Sequence, residues 1–227
     1  MSIECSIFAV TSEQIASFRD DPQAASNEAL LRNALDHMSA KLHFQPDLTE
    51  AEFLAQLGSD SDLAQIDDPQ HRAELAAHYN LERALLESAV ARGDRETPFC
   101  LGKSWDSIHQ VVSGGDPNSG GWFLVGGEPL GDALTYGPPC LRSPEDVAAF
   151  ARYLGGWSGR RFLAALEALR PEGAGVIDPS SLPPSYRQQW TEIAKMARES
   201  EAALFEQLKA YIVDASDARA GMLIWLN

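Results

Sequence analysis

"CSIFAVTSEQ", residues 5–14, holds the two signals on which the fold class turns. Residues 5–10 are apolar and partly β-branched, the composition of a short buried strand. They give way to Thr11 with Gln14 three residues on, a capping-box spacing that satisfies orphan amides at a helix start. Ile15 and Phe18 then supply that helix with an apolar face. At the other end, "GMLIWLN" (221–227) reads as a second apolar strand. Strands near both ends with helical patterns between them predict an α+β fold. It is a compact, helix-rich domain whose small mixed sheet joins the N- and C-terminal strands.

Between those strands the punctuation is helical. "SNEALLRNALDHM" (26–38) has Ser26 as its expected cap, and Thr49 with Glu52 forms a second capping box that opens a helix ending at Gly58. Asp68-Pro69 starts a longer helix that Gly93 stops, with Leu75, Tyr79, Leu86 and Val90 near one face. Ser143-Pro144-Glu145-Asp146 is a further start, with acids where the helix dipole favours them. Helices are also expected over 160–170 and about 188–213. The glycine- and proline-rich stretch 113–140 is expected to lack helix, with "GWFLVGG" a short strand and "YGPPCL" extended. "PEGAGVIDPSSLPP" (171–184) reads as a surface connection. The organisation expected is one domain over 1–227, with an acidic helical insertion at about 20–95.

The charge narrows the function. Eighteen Lys and Arg stand against 33 Asp and Glu, a formal −15. Residues 1–95 carry 7 basic and 17 acidic side chains, and residues 96–227 carry 11 and 16. Such a surface repels phosphate backbones and anionic lipid, so neither nucleic acid nor a membrane is the expected partner, whereas a basic protein is. Cys5, Cys100 and Cys140 are far apart, with no C-x-x-C pair or metal-ligand spacing, so no disulfide, metal or cofactor is expected. "MSIECSIFAV" lacks the basic and long apolar regions of a signal peptide, and no run matches a membrane span. The expected setting is the cytoplasm.

The stretch that most resembles chemistry is "GKSWDSIHQVVSGG" (102–115). Ser104 is placed to cap a helix holding Trp105, Asp106 and His109, with Leu101, Trp105, Ile108 and Val112 on one side. His109 falls at the edge of that stripe, where an imidazole commonly serves packing, and no nucleophile lies beside it. Glu128, Asp132 and Tyr136, in "GGEPLGDALTYG", are polar groups on a glycine-flanked loop, where binding residues often sit. Either they accompany a tight turn or they join Trp105 and His109 around a pocket. "GGDPNSGG" lacks the Lys-Ser/Thr ending of a phosphate loop.

The order of these motifs resembles the YfbM-like family of bacterial proteins of unknown function. The resemblance rests on Lys103, Trp105 and His109; on Gly126, Gly127, Glu128 and Gly131; on Tyr136, Gly137 and Pro138; and on Ser143 to Val147. The opening strand with "VTSEQIASF" and the closing helix plus strand fit it too. Residues 20–95 are longer and more acidic than in that family, and Ile177, Pro179 and Trp190 follow its pattern loosely. The resemblance implies a compact α+β fold and no activity, since fold alone does not decide function.

Two functional expectations remain. The first is a non-enzymatic acidic binding protein, in its sharpest form an immunity-type inhibitor of a basic toxin. The second is a small-molecule-binding protein or enzyme with a pocket around Trp105, His109 and Glu128, His109 acting as general acid/base. A homodimer stays open in either case.

Overall fold

The two apolar end strands pair with each other. In the computed structural model, which describes residues 3–58, 63, 66–116, 118–169 and 183–227, β1 (Cys5–Val10) runs antiparallel to β5 (Gly221–Leu226). The register sets Ile7 opposite Ile224 and Phe8 opposite Leu223. Between them in the chain come α1 (Ser12–Asp20), α2 (Pro22–Phe44), α3 (Glu50–Gln56), α4 (Pro69–Arg92), β2 (Phe99–Gly102) and α5 (Trp105–Ser113). Then follow β3 (Glu128–Pro129), β4 (Cys140–Arg142), α6 (Pro144–Gly155), α7 (Gly159–Leu169) and α8 (Pro184–Asp217). The sheet order is β2-β1-β5-β4-β3. Every pairing is antiparallel, so the sheet is not mixed as expected.

The alternation of side chains along β1 and β5 divides the core into two layers. Cys5 and Ile7 with Met222 and Ile224 face a large cluster built from α5 to α8, where Phe162 stacks on Phe205 at 4.4 Å. Phe8, Val10, Leu223 and Trp225 face α1 and the first turns of α2, meeting Ile15, Phe18, Ala25 and Ala29. Each large side chain sealed in these layers contributes about 1.5–3 kcal/mol. Farther along α2, Leu31, Leu35 and Met38 join Phe53 of α3 and Leu86 of α4 in a third cluster. Arg32 ties the second cluster to the third. Its guanidinium lies 4.1 Å from the centroid of the Phe8 ring and donates to Glu28, to both oxygens of Asp94 and to the Glu96 carbonyl.

Several local expectations change. Asp21, not Ser26, caps α2, which begins four residues earlier because Pro22 fits a first helical turn. Ser26 lies inside the helix, and its hydroxyl donates to the Asp132 carbonyl. Ser104 stands at the start of α5 but makes no side-chain cap bond. Leu101 belongs to strand β2 rather than the helix stripe, and "GWFLVGG" forms turns and bends instead of a strand. Arg142 accounts for the latter: its guanidinium takes the carbonyls of Trp122, Phe123 and Val125 that a ladder would have used. Helix α8 is longer at both ends than expected. The connection at 171–182, with Ile177 and Pro179, and the Trp190 side chain lie outside the described residues.

Candidate functional site

Helix α5 buries its chemistry instead of presenting it. His109 is 6% exposed, edge-on to Trp122 at 4.5 Å and tilted against Trp105 at 6.4 Å. Its Nδ1 has no hydrogen-bond partner among the described residues. Burial holds the imidazole below its ordinary pKa, with Asp106 only partly opposing. Trp105 uses its indole N–H on the Ile3 carbonyl at 3.0 Å.

The loop residues lie elsewhere. Glu128 pairs across the sheet with Leu141, a member of the second core layer, and both Nε and one terminal nitrogen of Arg19 on α1 donate to its Oε2. Cross-strand partners share a face, so Glu128 lies on the α1/α2 side and His109 on the other. The five predicted residues therefore do not converge. Tyr136, 37% exposed, sits in the tight turn closed by Leu134 and Gly137. Asp132 lines a sizeable cavity.

That cavity is an open groove of about 760 Å³ between α2, α4, the β1–β2 edge and the 132–135 loop. It exists because α2 turns a polar stripe, Asn27, Asn33 and His37, away from its apolar faces at helical spacing. A chain of side-chain hydrogen bonds runs along the sheet edge. The Trp225 indole donates to Asn33 Oδ1 at 2.9 Å, Asn33 donates to Asn227 Oδ1 at 2.9 Å, and Asn227 donates to Ser6 Oγ at 3.3 Å. Ser6 Oγ lies 3.6 Å from Cys100 Sγ, and that thiol donates to Asp36 Oδ2 at 3.7 Å. Strand pairing dictates the link at Ser6, because Ser6 stands opposite Cys100 in the β1–β2 register.

Four carboxylates, Glu4, Asp36, Glu82 and Asp132, line the groove, and no Lys or Arg does among the described residues. Burial raises the Cys100 thiol above its ordinary pKa; the Ser6 contact opposes this and Asp36 and Glu4 reinforce it. It is therefore a neutral thiol and a poor nucleophile at neutral pH. No hydroxyl or thiol hydrogen-bonds to a histidine among the described residues, so no nucleophile–base couple is assembled. Nor do three His, Cys, Asp or Glu side chains stand where they could hold a metal ion among them. The arrangement suits attraction of positive charge. Sequence reasoning missed Ser6, Asn33, Asp36, His37, His78, Glu82, Cys100 and Asn227. The one local signal was His78 with Glu82 at helical spacing on α4, which many solvated helices share.

No helix among the described residues is long and apolar enough to cross a membrane. A sequence profile for the family described as a domain of unknown function (DUF1877) matches residues 1–225, and the chain belongs to that family. No curated protein and no solved structure matches it.

Proposed function

We propose that this chain is a non-enzymatic binding protein that uses its acidic α2/α4 groove to hold a basic protein partner. The observation that carries this reading is the lining: four carboxylates with no Lys or Arg among the described residues. The surplus of acid in residues 1–95, ten charges of the fifteen, supports it, because these residues supply most of the groove wall. In its sharpest form the partner is a toxin that acts on nucleic acid and is therefore basic, and the chain is its immunity protein. The free thiols of Cys5, Cys100 and Cys140 support a reducing, cytoplasmic setting. The ordered motifs from Lys103 to Val147 support a place among the YfbM-like proteins within the wider family.

The test is an affinity pull-down of the tagged chain from its own cell lysate at low and high salt, with mass spectrometry of what stays. One basic protein is expected in near-equal amount at low salt and depleted at high salt. A variant carrying Asp36→Asn and Asp132→Asn is expected to lose it. Capture that ignores both salt and the variant would sink the electrostatic reading.

A second reading is favoured by the size of the groove, which lies within the roughly 300–1,000 Å³ of small-molecule sites. In that case a cationic small molecule occupies it. The pocket expected around Trp105, His109 and Glu128 does not provide the place, since those side chains lie on two faces of the sheet.

A further inference from the structure

Arg32 and Glu82 are the charged side chains most deeply buried among the described residues, and Arg32 is supplied with partners. Arg32, 4% exposed, has donors directed at Glu28, Asp94 and the Glu96 carbonyl. Glu82 differs. It is 8% exposed, lines the groove and makes no hydrogen bond to a described residue. Its oxygens are not sealed, so its charge is hydrated only from the groove, and packing strips water from the rest of the side chain. Burial pushes its carboxyl above the ordinary range, and His78 on its own helix and His37 on α2 offset only part of this. A carboxylate so placed, without a hydrogen-bond partner among the described residues and facing an open groove, offers a charge that a ligand can partner.

We infer that the groove is the seat for one guanidinium-bearing side chain, its charge placed on Glu82 and its carbon stem laid along Leu30, Ala34 and Leu81. That seat rests on the basic-partner reading above and narrows it to the chemistry of one group. The lining carries no Lys or Arg among the described residues, and His37 and His78 are the groups there that favour the charged form of Glu82. Leu81, 42% exposed on the rim, offers the apolar strip along which a long basic side chain packs its methylenes. A guanidinium is more weakly hydrated than an ammonium and donates through a planar fork. It therefore enters a half-buried carboxylate site at smaller desolvation cost, with donors left for the neighbouring amide and hydroxyl groups.

The same chemistry could come from an arginine within a partner or from a free guanidino compound, and calorimetric titration of the full chain separates them. N-acetyl-arginine methylamide presents the side chain as a polypeptide does, agmatine presents it as a small molecule, and N-acetyl-citrulline methylamide is the neutral isostere. The blocked arginine is expected to bind about tenfold or more tighter than citrulline, the range of one charge-assisted hydrogen bond. Glu82→Gln is expected to erase that preference while unfolding at the same or a higher temperature, since it removes a carboxylate that packing has partly stripped of water. Glu167→Gln, the same charge change on the exposed part of α7, is expected to leave binding intact. Leu81→Lys, at a position already open to solvent, is expected to block arginine by placing a cation at the mouth. Equal binding of arginine and citrulline would overturn the inference, as would equal weakening by the Glu82 and Glu167 variants or unimpaired binding by Leu81→Lys. If arginine or agmatine binds as expected but the pull-down yields no basic protein, the seat stands and the protein-partner reading falls.

Discussion

At the scale of single residues, buried polar atoms separate what this fold needs from what it keeps for other reasons. His109 serves packing. Its Nδ1 is sealed without a partner between two tryptophans, and burial keeps the ring neutral. The folded state therefore binds fewer protons than the unfolded chain once the pH falls below the ordinary imidazole pKa of about 6.5. Stability must decline from there down to the depressed folded value. His109→Leu removes both the unpartnered nitrogen and the titration. It is expected to stay within about 1 kcal/mol of the parent at pH 7 and to flatten the decline of stability below about pH 6.5, seen by urea unfolding at several pH values. An unchanged slope would place that proton uptake on another group. Cys5 is also inert, its thiol pushed up to about 12 chiefly by burial.

At the scale of elements, one guanidinium joins helices to sheet. Arg32 links α2 to the ring of Phe8 on β1 and to the segment after α4 through Asp94, and its hydrogen bonds hold the Asp94 carboxyl below the ordinary range. Arg32→Ala leaves those acids facing a void and is expected to cost about 3–5 kcal/mol in denaturant unfolding. Asp94 adds stability above its unfolded pKa that is lost as the pH falls through its lowered folded value, and the variant should lose this acid limb. Gly131, at φ +70°, holds the 132–135 loop against α2, and a Cβ there would stand 2.4 Å from the Pro22 carbonyl oxygen. Gly131→Ala is accordingly expected to cost about 1–3 kcal/mol and to weaken groove binding, because the loop must lift off α2. Such couplings explain what the sequence could tell. The boxes at Thr11/Gln14 and Thr49/Glu52 and the helix start at Ser143 were legible because each signal closes within three residues. The groove was not, since Ser6 meets Cys100 across 94 positions and Asn227 across 221. Only the strand register brings those residues together. Strand β3, two residues long, exists only as a partner of β4 and carries no hydrophobic alternation of its own.

At the scale of the whole molecule, the proposed reading makes the formal charge of −15 an instrument of encounter more than of affinity. Like charges spread over α1 to α4 repel one another in the free chain, and a basic partner relieves that repulsion on approach. Exposed charges act over roughly a Debye length, about 10 Å at 0.1 M salt. The carboxyl of Glu82, largely covered by its neighbours at the groove wall, is screened less than the exposed charges. The two contributions should therefore separate in kinetics. With the partner recovered in the pull-down, raising salt from about 0.05 M to about 0.5 M is expected to slow association about tenfold or more, while dissociation changes by less than about threefold. Glu82→Gln should do the reverse, speeding dissociation and leaving the salt slope of association intact, since one charge in fifteen hardly alters the long-range field. Surface plasmon resonance across a salt series reads both arms. A salt-insensitive association rate would mean that the acidic surface serves solubility alone, and the partner would then be held by shape and not by charge.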